Sequence, residues 1–281
     1  MPVYSRKTLR QALGRSHWIR DTLVGTTTGS WGNTGSATIW DSAKANLLYS
    51  GEDLYHRSWA KAAGCELRIA TWNTGSGAWM ALQTAGSTIA SGVEYEIHEM
   101  IAPSEKDEAL DETIKRVQVR REEPVWSVDQ ARIYALPAGV IDVLDCYYFA
   151  SPNGSLTRDR GNFNHWEPVE TGSRSEIRID PPLTVSQQLI LDALVIPTLG
   201  AADTATVSLP NDRWIIAGAA VDCLSRLAAR SPGQEGARYE ERRKAAARAY
   251  SSLSARFQVQ IDRPVQMGQP FERTDLAETE W

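Results

Sequence analysis

Residues 210–257 read PNDRWIIAGAAVDCLSRLAARSPGQEGARYEERRKAAARAYSSLSARF, and this stretch decides the fold. Pro210-Asn211-Asp212 is a helix start, because short polar side chains there can accept from the free N–H groups of a first turn. Trp214, Ile215, Ala217, Val221, Leu224, Leu227 and Ala228 then give a broad apolar face at helical spacing. Ser231-Pro232-Gly233 stops it. A second helix is predicted from about Glu235 to Phe257, with Tyr239, Ala246, Tyr250, Leu253 and Phe257 inward. Its other faces carry Arg238, Arg242, Arg243, Lys244 and Arg248 against Glu235, Glu240 and Glu241. The linker is short, so the two helices form an antiparallel hairpin.

Working outward, residues 1–19 predict an N-terminal helix over 4–16. Leu9 and Leu13 form its apolar stripe, and Arg6, Lys7, Arg10 and Arg15 are placed on its other faces. A helix this short must lie on something. Residues 20–103 turn rich in Gly, Ser and Thr, with β-like runs Ala37–Trp40, Glu66–Trp72, Trp79–Thr84 and Glu94–Met100. They read as a small antiparallel β domain. Ser104 and the acids after it predict a capped helix within 104–122, reaching about Gln118 and burying Leu110, Ile114 and Val117. Residues 123–209 give strands Arg132–Leu136, Val140–Tyr148, Glu176–Ile179 and Leu189–Ile196 around a polar stretch, 151–175, read as a loop. That spacing fits a β-sandwich. Residues 258–281 contain Pro264, Pro270, Phe271 and a final Trp281, and read as an extended arm. The expected class is α+β: an N-terminal helix and a C-terminal helical hairpin with antiparallel sandwich or barrel-like β domains.

Composition narrows the function classes. A net charge of −5 argues against general nucleic-acid binding. No apolar run is long enough to span a membrane, and the polar, basic N-terminus lacks the apolar core of a secretory signal. Cys65, Cys146 and Cys223 are odd in number and far apart, which fits small buried hydrophobes better than disulfides or a metal knuckle. Ten Trp fit β cores and subunit interfaces.

No catalytic or metal motif stands out. His17, His56, His98 and His165 lie in unrelated segments. Ser58-Trp-Ala-Lys61 matches SxxK without its companion motifs. Asp145, Asp159, His165 and Glu167 make an acid–base set on paper only, Trp166 is a ligand-facing aromatic candidate, and Asn153 begins a glycosylation sequon without a secretion signal. No cofactor and no enzymatic activity are expected.

The order of pieces resembles a known family. Arg6-Lys-Thr-Leu-Arg-Gln-Ala-Leu-Gly14 is similar to the start of many tailed-phage virion proteins. It is followed by a Gly/Thr-rich β segment ending in Gly92-Val-Glu-Tyr-Glu-Ile-His98 and by an acidic-start helix, Glu105–Val117. Leu209-Pro-Asn-Asp-Arg-Trp-Ile-Ile-Ala-Gly-Ala-Ala220, Pro232-Gly-Gln and Tyr239-Glu-Glu-Arg-Arg243 resemble the helical hairpin of phage head–tail connector (adaptor) proteins. The large β content departs from the smaller, mostly helical adaptors. The resemblance implies a virion protein at the head–tail junction, assembled in the host cytoplasm. It implies a homo-oligomeric, commonly dodecameric ring that binds the portal and the next neck or tail protein, with passing DNA touched non-specifically. Interface candidates are Leu9, Leu13, Trp18, Trp214, Arg238, Arg242, Arg243, Arg248, Phe271 and Trp281. The alternatives are a baseplate, tail-end or fibre-attachment protein and, from another class, a carbohydrate-binding or glycan-cleaving β protein.

Overall fold

The computed structural model describes residues 2–29, 38–42, 58–62, 64–73, 78–81, 89–125, 130–150, 160–163, 165–171, 174–184 and 187–257. The arm 258–281 with Phe271 and Trp281, and also His56, Asn153 and Asp159, lie outside the described residues.

The α+β class holds. The hairpin is formed by α3 (Asp212–Arg230) and α4 (Gly233–Phe257). Asn211 caps α3 by accepting from the N–H of Arg213. Gly233 has φ 69°, a conformation that favours glycine where the chain turns between the helices. Trp214 donates its indole N–H to Ser254 Oγ at 2.8 Å and stacks near Phe257, which fixes the two helices in register. α3 is buried on most of its circumference, from Trp214 through Ala220 and on to Cys223, Leu224 and Leu227. Gly218 is required there: a Cβ would meet Thr113 Cγ2 at 2.5 Å and Tyr250 Cε2 at 2.8 Å.

Two further helices complete this core. They are α1 (Arg6–Arg15) and α2 (Pro103–Lys115). Leu9, Leu13, Leu110, Ile114, Val117, Trp214, Ile215 and Leu224 belong to one buried cluster. Before α1, strand β1 (Val3–Ser5) pairs antiparallel with β15 (Thr206–Ser208). The expected start of α2 needs correction. Its N-cap is Ala102, Pro103 opens the helix, and Glu105 accepts from the Ala102 N–H. Ser104 sits inside the helix and donates to Glu66.

The first β unit is a six-stranded antiparallel sheet in the order β2-β7-β4-β5-β6-β3. Its strands are β2 (Thr22–Thr26), β3 (Thr38–Trp40), β4 (Trp59–Ala62), β5 (Cys65–Asn73), β6 (Ala78–Ala81) and β7 (Glu94–His98). Beyond β2, Thr28 Oγ1 accepts from the N–H of Ser42, just beyond β3, at 2.8 Å. The first and last strands thus curl toward each other around Ile39, Ala60, Leu67, Ile69, Trp79, Tyr95 and Ile97. Tyr95 donates its hydroxyl to buried Asp41 at 2.7 Å inside this barrel-like unit.

The second unit is a sandwich. One sheet orders β11-β10-β14-β8 and the other β12-β13-β9. Their ranges are β8 (Val119–Val125), β9 (Ile133–Ala135), β10 (Val140–Ala150), β11 (Arg160–Asn162), β12 (His165–Thr171), β13 (Arg174–Asp180) and β14 (Gln187–Val195). Leu189, Leu191, Ala193 and Val195 alternate into the space between the sheets and meet Tyr134, Ile177 and Ile179. The sequence reads 151–175 as a loop, yet Arg160–Asn162 and His165–Thr171 are strands. Polar β12 is held by its full ladder to β13, from His165↔Asp180 to Thr171↔Arg174, rather than by its own pattern.

Candidate functional site

Two places combine chemistry with position. The first is a polar cluster sealed between α1, α2 and the outer face of β7. Strand β7 alternates: Tyr95 and Ile97 face the barrel interior, and Glu96 and His98 face the helices. Both faces are buried. On α1, Arg6, Leu9, Arg10, Leu13 and Gly14 share the buried face. Arg6 and Arg10 therefore share the buried face with Leu9 and Leu13, where the sequence reading places them on other faces. Residues 6, 9, 10, 13 and 14 are spaced for one helical stripe, and that spacing was the available signal.

Arg10 is fully buried. It donates from Nε and Nη2 to the two oxygens of Glu96 at 2.8 and 2.9 Å, and from Nη1 to Asp107 and Asp203. Burial works against its charge, but these carboxylates override it and hold the guanidinium protonated. Lys61 joins the rim, 3.0 Å from Asp203 and 3.2 Å from Asp107. Arg6 donates to Asp111 at 2.6 Å and to the carbonyls of Leu199 and Gly200.

Further in, Lys106 and Asp21 are an ion pair at 2.5 Å, and both side chains are fully buried. Lys106 Nζ also lies 2.8 Å from Thr22 Oγ1 and 2.8 Å from His98 Nδ1. Glu96, ionised and gripped by Arg10, only accepts, so His98 must donate its Nε2–H to it at 3.0 Å. That fixes the tautomer and leaves Nδ1 as an acceptor facing Lys106. Asp21 Oδ2 accepts the N–H of Ile101 at 3.2 Å, and Thr22 donates to Asp21 Oδ1 at 2.9 Å. Burial pushes His98 down to about 4 against the pull of Glu96. Burial would raise Glu96, but His98 and Arg10 bring it down to about 2. Burial also lowers Lys106, with Asp21 opposing. Gly14 lets α1 close over the cluster: a Cβ there would meet Thr22 Oγ1 at 1.8 Å and Lys106 Nζ at 3.1 Å.

The second place is the outward face of the hairpin. Of the 25 residues of α4, only Tyr239 and Ala246 are buried. Arg238, Arg242 and Arg248 are exposed, as are Ala237, Ala245, Ser251 and Ala255. Arg243 is half-buried and bonded to Glu240. Beside this face a groove of about 700 Å³ runs between α1 and the hairpin, lined by His17, Trp18, Arg213, Ile216, Ala249 and Leu253. Trp18 is half-buried, its ring 4.1 Å from that of His17. The other interface candidates need correction. Leu9, Leu13 and Trp214 are buried in the chain's own core and are not available to a neighbour.

Other candidates separate. His165 and Glu167 approach at 3.8 Å on β12, and Trp166 packs against the sandwich core. Asp145 accepts from the Cys146 N–H on β10, in the opposite sheet. Among the described residues no group of His, Cys, Asp and Glu could hold a metal ion, and no helix is long and apolar enough to cross a membrane.

No family model matches the chain, and no curated protein matches it. Among solved structures, a crystal structure of a binary complex of a mutant AgrE with L-arginine aligns with 64% of this chain at 14% identity. This chain covers 24% of that one, with a TM-score of 0.10, which carries no argument about fold or function.

Proposed function

We propose that this chain is a structural, ring-forming protein of the tailed-phage head–tail junction, joining the portal to the next neck or tail component around the DNA channel. The observation that carries the reading is α4. It is a 25-residue helix with one side fixed on α3 and the other uncovered along its length. Its exposed residues include small Ala237, Ala245, Ser251 and Ala255 and basic Arg238, Arg242, Lys244, Arg248 and Arg256, with Glu235 and Glu241 among them. Small residues let a neighbouring helix approach, and the arginines offer a basic lining or pair with an acidic neighbour. The groove at Trp18, next to the same face, supplies an aromatic anchor of the kind interfaces use. Below it, four packed helices and the sealed ionic cluster make a rigid base for a repeated contact.

The test is assembly. Full-length protein mixed with its portal is examined by mass photometry and negative-stain microscopy. The expected result is one closed ring of defined mass. A chain that stays monomeric and ignores the portal would sink the reading.

A further inference from the structure

The Lys106–Asp21 pair holds more than an ion pair needs. A buried ammonium requires acceptors for its protons, and Asp21, Thr22 and His98 provide them. The same neighbours form an acyl-transfer constellation. The Lys106 ammonium, a nucleophile once it gives up a proton, is 2.5 Å from a carboxyl oxygen. A neutral imidazole, oriented by Glu96, faces that nitrogen with its unprotonated Nδ1 at 2.8 Å, 3.1 Å from Thr22 Oγ1. A backbone N–H, from Ile101, points at the second carboxyl oxygen. The Thr22 hydroxyl donates to the first. Asp21, His98 and Lys106 are buried, so water does not compete for the carboxyl carbon.

We propose that Lys106 and Asp21 form an intramolecular amide bond, tying α2 covalently to the segment that enters β2. In the first step a proton passes from Lys106 Nζ to Asp21 Oδ1 across their contact and leaves a neutral amine and a neutral carboxylic acid. The Nζ lone pair then bonds to Cγ while His98 Nδ1 takes a second proton from Nζ. The carbonyl electron pair moves onto Oδ2, where the Ile101 N–H stabilises it. Finally the Cγ–Oδ1 bond breaks, Oδ1 takes the proton from His98, and it leaves as water while the Cγ–Oδ2 double bond re-forms. Nothing is oxidised or reduced, His98 returns to its neutral state, and the net loss is one water. Holding the reacting groups in contact converts a reaction negligible in free solution into a unimolecular one. No part of this rests on the ring assignment.

The experiment is mass spectrometry of the purified full-length wild-type chain, denatured before analysis. The expected mass is one water below that of the sequence. Trypsin should then leave Lys106 uncut and give a branched product in which residues 69–115 are joined to residues 21–44. A Lys106→Arg protein should show its full sequence mass, be cleaved after position 106 and give residues 21–44, 69–106 and 107–115 as three separate peptides, and in a His98→Gln protein the branched fraction should fall. An unmodified wild-type mass overturns the proposal. So does a loss of water without the branched peptide, which marks cyclisation within one segment. Because the wild-type measurement decides, a Lys106→Arg protein that fails to fold leaves the test intact.

Discussion

Arg10 on α1 and Arg242 on α4 are the same side chain on two amphipathic helices. Arg10 is fully buried against Glu96, Asp107 and Asp203, whereas Arg242 is exposed. The contrast extends to whole regions. The α1–α2–β7 junction seals its charges and satisfies each with a fixed partner, whereas the outward face of α4 leaves its arginines in water. Charge in the first region specifies how segments far apart in sequence fit together. Charge in the second costs the fold almost nothing to keep or to lose, so it is free to serve an assembly contact.

The sharpest way to break the comparison is Arg10→Ala. It strands Glu96, Asp107 and Asp203, and the expected loss is about 3–5 kcal/mol of folding stability in urea unfolding. A loss no larger than that of a surface arginine would erase the distinction between the regions.

Acid should attack the same junction. His98 is held down to about 4 in the folded chain against an ordinary value of 6.5, so the unfolded chain binds the extra proton first. Stability is therefore lost as pH falls from 6.5 toward 4, by roughly 3 kcal/mol once fully developed. Glu96, lowered to about 2 from 4.5, adds a further loss below pH 4.5. Urea midpoints measured across this range should fall steadily, and His98→Gln should flatten the upper part of the curve.

Packing gives the next effect. Gly218→Val forces a side chain into Thr113 and Tyr250, with an expected cost of about 1–3 kcal/mol in thermal or urea unfolding. Trp214→Phe keeps an aromatic ring but drops the bond to Ser254 and leaves the space of the indole's second ring empty, and should cost about 2 kcal/mol.

The smallest stability effect belongs to the other region. Replacing Arg238, Arg242 and Arg248 together by Ala should shift unfolding by less than about 0.5 kcal/mol per site. On the proposed function it should also abolish ring formation on the portal, read by mass photometry. A large loss of stability with assembly intact would reverse the roles of the two regions.

The hairpin was legible because its information is local. Trp214 to Leu227 repeat at helical spacing, Asn211 caps the first helix, and Pro232-Gly233 separates the two, so neighbouring residues state the outcome. The strands Val140–Ala150 and Gln187–Val195 were legible for a related reason, since each is a short apolar-rich run bounded by Pro or Gly, although two register shifts interrupt their pairing. Strand β12 was not, because polar His165–Thr171 extends only where β13 offers a ladder. The ionic junction was illegible for the strongest reason. Arg10, Asp21, Glu96, Lys106 and Asp203 come from five separate segments, and a charge can be buried only where its partners converge. The sequence by itself determined the helices, the β-rich segments between them and the α+β class. Only the tertiary structure decided which charges lie inside, because helical periodicity is a property of one chain segment and charge pairing is a property of their meeting.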